Sequence, residues 1–258
     1  EPLEIALCAQ HNNGGLGIDV WWQTDLTGFF AVGEVSGSHG VYRPGGSALN
    51  AGQVGSTRAA QYIARNREGL PVALAEFREA CQDQLSRVIA LSEAVVGDAE
   101  NVRLIWDETT KRMSRHGAAI RNRQGIAAAL DAVGAELAGF NQKVCIKRTE
   151  DLSKVFRLYD TLICQYVYLA AMVDYIDADG KSRGSSLYTT GEGSLPYANL
   201  PEIFRFVLDD GLRGDLVQEV RYHKGKCRFS WRKVREIPAV DDFFENVWRD
   251  YRENGNVY

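Results

Sequence analysis

Eleven of the 25 glycines in this 258-residue chain fall within the first 55 residues; the other fourteen are spread over the remaining 203. Clustered glycines permit positive φ, sharp turns and close backbone approach, whereas one glycine inside a helix costs up to about 1 kcal/mol relative to alanine. The first 55 residues therefore read as short strands joined by tight turns, and the rest as a region free to hold long helices. Candidate strands at 5–8 and 28–35 precede a small-residue helix over about 48–65. Strand, glycine turn and helix is the unit that lets a backbone approach a cofactor closely.

From Pro71 to about Asp179 the pattern is helical. Leu152, Val155, Phe156, Tyr159, Leu162, Ile163, Tyr166, Val167, Ala170 and Val173 recur at three-and-four spacing without a break. Thr149 is placed to cap that helix, with Glu150 and Asp151 in its first turn and Gly180 past its end. Further amphipathic helices are expected over 72–95, 102–121 and 125–140, forming a bundle whose apolar stripes are its core. Residues 216–223 and 227–234, joined by Lys224, Gly225 and Lys226, predict a hairpin, and 241–252 a short final helix. The expected fold class is α+β: short strands plus a helix, then a helical bundle and a terminal hairpin.

Composition removes several function classes. With 30 Lys+Arg against 34 Asp+Glu the net charge is −4, so a dominant nucleic-acid surface is not expected. No apolar run approaches the 18 or so residues of a membrane span. Cys8, Cys81, Cys145, Cys164 and Cys227 show no C-x-x-C, and the four histidines stand at no ligand spacing to them, so no metal site is expected. Scattered single cysteines suit a reducing cytoplasm. Glu1 is not a methionine and a strand-like run begins almost at once, so a fragment of a longer chain is the expectation. One segment runs against the acidic balance. Arg221, Lys224, Lys226, Arg228, Arg232, Lys233 and Arg235 fall in fifteen residues without an acid. They form either a solvated hairpin face or a surface for an anionic or electron-transfer partner.

One stretch carries the chemistry. It runs from Gln10-His11-Asn12-Asn13-Gly14-Gly15 through Ala31-Val32-Gly33-Glu34-Val35 to His39-Gly40-Val41-Tyr42-Arg43-Pro44-Gly45-Gly46-Ser47-Ala48-Leu49. It supplies a cation, two imidazoles, an acid and paired glycines, followed at once by a helix start. Amides at a helix N-terminus can hold an anion or a carbonyl oxygen. Gly45 and Gly46 allow a flat ring to lie against the main chain. Glu34, ending an apolar strand, is placed where acids accept from sugar hydroxyls. Arg43, between glycines, suits bidentate carboxylate binding.

The order H-x-x-G-G, A-x-G-E-V, H-G-x-x-R-x-G-G-x-x-L over 9–65 resembles the flavoprotein subunit family of succinate dehydrogenase and fumarate reductase, which includes L-aspartate oxidase. Met113-Ser114-Arg115-His116 through Arg121 is similar to that family's helical-domain pattern, and Ser182-Arg183-Gly184 to its late S-R-G turn. The resemblance implies an FAD-dependent oxidoreductase exchanging a hydride between flavin and a small carboxylate substrate. It implies that 1–68 is the second segment of an FAD-binding domain and 69–258 the C-terminal helical domain with its hairpin tail. Glu34, Gly45, Gly46, Ala48 and Leu49 would address the cofactor. His11 and Arg43 would be catalytic and grip the substrate carboxylate, with His39 beside them. The family's G-x-G-x-x-G segment and its capping domain, with the proton-shuttling arginine, have no counterpart in these residues, so this portion alone is expected to be inactive and to hold FAD weakly or not at all. Asn12-Asn13, Pro44 and Ser47-Ala48 depart from the family's usual residues. The other readings are a helical module that docks an electron-transfer subunit, and one half of a split flavoenzyme.

Overall fold

The computed structural model describes residues 14–39, 46–66, 72–184, 186–211, 213–234 and 243–255. Their regular elements, in chain order, are α1 (Ser47–Asn66), α2 (Leu74–Val95), α3 (Val102–His116), β1 (Ile120–Arg121), α4 (Arg123–Ala138), α5 (Phe140–Lys143), α6 (Leu152–Asp177), β2 (Leu187–Ser194), β3 (Leu216–His223), β4 (Lys226–Lys233) and α7 (Phe243–Asn254). Residues 1–71 with 236–258 form one compact unit and 72–235 a second.

In the second unit the uninterrupted apolar stripe becomes the 26-residue α6. Its Val155, Leu158, Leu162 and Leu169 are wholly buried against Ile126, Ala129 and Val133 of α4. Val95, Val102, Phe140, Val144 and Ile146 complete the same core. Each large apolar side chain so buried contributes about 1.5–3 kcal/mol. Through this core runs one polar line. Arg112 of α3, 13% exposed, is paired with Glu136 of α4 (Nη1 to Oε2 3.0 Å) and donates to Gln165 Oε1 of α6 at 2.8 Å. Gln165 in turn donates to the Thr109 carbonyl at 2.8 Å. Three helices are thus held in register by groups that are costly to leave unmade.

Several expectations change for local reasons. The candidate strand 5–8 lies outside the described residues. The strand expected at 28–35 does not form. Gly28 (φ 80°) and Gly33 (φ 76°) bend the chain at both ends, leaving a single bridge from Phe30 to Gln23 and a 3-10 turn at Gly33–Val35. The helix expected over 102–121 stops at His116, where the Gly117 N–H closes on the Met113 carbonyl at 2.8 Å. Asn122 then caps α4, its Oδ1 accepting from the Gly125 N–H at 2.7 Å. The residues between are extended, and β1 pairs in parallel with Leu187 and Tyr188 of β2. Thr149 does not cap α6 directly; a 3-10 turn, Thr149–Asp151, intervenes and Asp151 takes the cap position. The hairpin forms over 216–233, one residue displaced on its second strand, with Lys224 (φ 49°) and Gly225 (φ 77°) as its two-residue turn.

Two outcomes are expected. Glu136→Ala leaves the Arg112 charge largely buried without its carboxylate and should cost roughly 3 kcal/mol. Arg112→Met with Glu136→Met should recover most of it, as read from urea midpoints at constant slope. The Asp151 carboxyl is held below the usual carboxylate range by Lys154, 2.7 Å away, with a further contribution from Arg148. A lowered native value adds stability above the ordinary carboxylate pKa and loses it as pH falls through the native one. Asp151→Asn should therefore flatten the decline in Tm below about pH 4, and an unchanged decline would count against this pairing.

Candidate functional site

In the first unit the site's framework comes from glycine and serine packing. The Leu16 N–H donates to the Val35 carbonyl and the Gly37 N–H to the Leu16 carbonyl, both at 2.8 Å. At Gly15 a Cβ would lie 2.4 Å from the Val35 oxygen and 2.7 Å from the Ser36 carbonyl carbon, so only glycine allows this approach. Ser36 is wholly buried; its hydroxyl donates to the Gly33 carbonyl at 2.7 Å and shares a hydrogen bond with the Ser38 hydroxyl at 2.7 Å. Together these bonds hold the tight turn Gly33–Val35, which carries Glu34 out to solvent. The turn lies against α1, where a Cβ on Gly52 would stand 3.7 Å from the Gly33 Cα.

Residues 19–31 fold back on themselves and dock on the same helix. Asp19 Oδ1 accepts from the Trp21 and Gln23 N–H groups at 2.8 and 3.0 Å. The Thr24 N–H donates to the Phe29 carbonyl at 2.9 Å and the Ala31 N–H to the Trp22 carbonyl at 3.0 Å. Arg58 of α1 lies over the Trp21 ring at 4.5 Å and donates from Nε to the Val20 carbonyl at 3.1 Å. Burial in this contact lowers the guanidinium pKa from its ordinary value. Tyr62 packs on Trp21 (5.6 Å between centroids) and Phe30 (5.9 Å). Trp22 (φ 64°) covers Gly55, where a Cβ would come within 2.5 Å of the indole nitrogen.

Of the residues singled out by sequence, Glu34, His39, Gly46, Ala48 and Leu49 are described, while His11, Arg43 and Gly45 lie outside the described residues. Glu34 sits on a 3-10 turn instead of the expected strand end. Gly46 takes φ 84° immediately before α1, and its carbonyl accepts from the Asn50 N–H at 3.3 Å. Leu49, in the first helical turn, is 79% exposed, and that turn holds no acidic residue. His39 is buried, with 7% of its surface exposed. The structure thus brings the Glu34 turn against the helix that Gly46 opens. A solvent-exposed carboxylate can accept from hydroxyls, and a helical first turn without acidic residues can face electronegative oxygen. Both are compatible with a dinucleotide such as FAD.

Sequence reasoning missed the packing residues that make the placement rigid: Gly15, Ser36, Gly52 and Gly55. A signal for two of them existed, since Gly52, Gly55 and Ala59 recur on one helical face. For Gly15 and Ser36 the contact partners lie about twenty residues apart and no local pattern points to them.

No protein-family model matches the chain. Residues of the chain are 33% identical over 135 positions to a fumarate reductase (CoM/CoB) subunit of Methanothermobacter marburgensis, covering 52% of this chain and 24% of that protein. They are 29% identical over 161 positions to L-aspartate oxidase of Mycobacterium leprae, covering 58% of this chain and 31% of that one. E. coli quinol fumarate reductase FrdA superposes with a TM-score of 0.64 over 90% of this chain and 38% of its own, at 20% identity. The chain spans less than a third of the length of these two curated relatives.

Gly15→Ala should force the paired segments apart. Exchange of the Leu16 and Gly37 amide hydrogens should rise about tenfold or more, equivalent to about 1.4 kcal/mol of local opening. Protection identical to the parent protein would show that the contact does not hold the Glu34 turn.

Proposed function

We propose that the chain belongs to the flavoprotein family that includes fumarate reductase and L-aspartate oxidase, to both of which it is similar in sequence, and that it contributes part of the FAD site and the substrate-binding residues of a cytoplasmic flavoenzyme acting on a small carboxylate. The observation that carries this reading is the packing of the exposed Glu34 turn against α1, whose opening Gly46 adopts φ 84°. It sits within the three linked motifs that the sequence presents in order.

FAD, when bound, would supply the hydride chemistry. Glu34 would accept a hydrogen bond from a sugar hydroxyl of the cofactor. Gly45, Gly46, Ala48 and Leu49 would form the backbone and apolar surface on which its ring rests. Arg43 would fork onto the substrate carboxylate, fixing its orientation through two parallel N–H donors. His11 would donate to the same end of the substrate, and His39 is proposed as a further substrate-binding residue. Both donors would offset negative charge that develops as the substrate reacts, and preorganised donors of this kind matter most where water is excluded. Residues 1–68 are proposed as the second FAD-binding segment and 69–258 as the helical domain with its tail. A second reading, in which the helical part docks a partner, draws on the basic hairpin.

The test is made in the complete flavoprotein. Arg43→Ala should lower kcat/KM by roughly a hundredfold or more, about 3 kcal/mol. Arg43→Lys keeps the charge, loses the fork and should recover only part of the rate. Neither should change flavin content, whereas Glu34→Ala should reduce it. If Arg43→Ala releases flavin and leaves turnover per bound flavin intact, Arg43 is a cofactor contact and the substrate-clamp reading is wrong.

A further inference from the structure

Ser36 and Ser38 form a hydrogen-bond chain whose direction follows from counting protons. The Gly33 carbonyl can only accept, so the one hydroxyl proton of Ser36 goes to it, at 2.7 Å. With that proton spent, the 2.7 Å contact between the two hydroxyls is a donation from Ser38 to Ser36. The chain therefore runs inward from Ser38, which is exposed, through Ser36, which is wholly buried. It ends on the carbonyl at the start of the turn that bears Glu34.

That turn has little else to fix it from within. It is three residues long, and Gly33 enters it at φ 76°. Its closing backbone bond, from the Ser36 N–H to the Gly33 carbonyl, is 3.2 Å, so the Ser36 hydroxyl approaches the same oxygen more closely than the amide does. Left-handed glycine is conformationally free and short 3-10 turns have poor hydrogen-bond geometry. The Glu34 side chain adds no restraint of its own: among the described residues its carboxylate makes no hydrogen bond or ion pair. Ser36 is thus the side chain that ties the turn down. At a wholly buried position its hydroxyl is not simply replaced by solvent when lost.

We infer that Ser36 and Ser38 are positioning residues of the cofactor site. The chain from Ser38 through Ser36 to the Gly33 carbonyl holds the Glu34 carboxylate where a sugar hydroxyl of the flavin nucleotide reaches it. This rests on the reading of Glu34 as a cofactor contact and deepens it. A turn left unheld would have to order on binding, at a cost in affinity; a turn already held does not. Both serines act through the Gly33 carbonyl, so their effect on the cofactor passes through Glu34.

The test is the flavin affinity of the complete flavoprotein, stripped of flavin and titrated with FAD while flavin fluorescence is followed. Ser36→Ala should weaken binding roughly tenfold and Ser38→Ala roughly threefold, the buried bond counting for more than the exposed one. Ser38→Thr keeps the hydroxyl and should stay within about twofold of the parent. Ser92→Ala, which removes a hydroxyl bonded to the Val88 carbonyl on α2, should change affinity less than about twofold. The double-variant cycle separates positioning from a general loss of structure. In a Glu34→Ala background, where affinity is already reduced, Ser36→Ala and Ser38→Ala should each add less than about twofold. Losses as large in that background as in the parent would overturn the proposal. So would parent affinity in Ser38→Ala, or equal losses in Ser38→Ala and Ser38→Thr. Because Ser38 is exposed, its two variants decide the matter even where Ser36→Ala does not fold. Unchanged affinity in Glu34→Ala would overturn the cofactor reading of Glu34 and this inference with it. Weakened binding in Glu34→Ala beside an unaffected Ser38→Ala would overturn this inference alone.

Discussion

The packing of α4 on α6 is the contact from which the rest of residues 72–235 follows. It works because the two helices bring complementary surfaces. α4 presents Ile126, Ala129 and Val133, and α6 answers with Val155, Leu158, Leu162 and Leu169, all buried. Gly134 extends the small surface, since a Cβ there would stand 3.5 Å from the Tyr166 ring. Apolar burial alone fixes neither rotation nor axial register of two such stripes. The Arg112, Glu136 and Gln165 line does, because sliding either helix by one turn would strand a guanidinium or a carboxylate in the core. Once α6 is fixed, its polar position Asp174 becomes the anchor for Gln218 and Trp231 and so for the hairpin.

Residues 14–66 solve a different problem with different means. They hold no long apolar stripe, and their order comes from close approach: Gly15 on Ser36, Gly52 on Gly33 and Gly55 on Trp22. Close approach makes the backbone itself the packing surface, so the position of Glu34 is set by main-chain hydrogen bonds and not by its own side chain. An acid placed in this way stays outward and available.

Much of this was legible in the chain before its structure. The small-residue helix expected over about 48–65, the amphipathic helices over 72–95 and 125–140, and the apolar stripe from Leu152 form as α1, α2, α4 and α6, and the hairpin forms from two strand-like runs about Lys224 and Gly225. Apolar periodicity is a local property, and these elements are governed by it. The misses have separate causes. The strand expected at 28–35 failed because left-handed conformations at Gly28 and Gly33 outweighed the β preference of Phe29, Phe30 and Val32. β2 went unseen because Gly191 and Gly193 interrupt the strand signal of Leu187–Ser194, and its pairing partner, β1, lies more than sixty residues earlier. Motif order selects Glu34, Gly46, Ala48 and Leu49 as the proposed cofactor contacts; the small residues packed around the Glu34 turn depend on contacts a linear reading does not contain.

Glycine carries two distinct meanings in this chain, and separating them explains why the motif is written as it is. Gly33 and Gly46 are required for conformation: at φ 76° and 84° a side chain would be strained, although a Cβ at either would meet nothing within 4 Å. Gly15 and Gly55 are required for space; their conformations are ordinary, but a Cβ would strike Val35 and Trp22. The conformational pair flanks the turn that bears Glu34 and the start of α1. The spatial pair lies behind, against the protein's own packing. Among the described residues, a substitution at the first pair would therefore act through backbone strain and one at the second pair through collision with Val35 or Trp22.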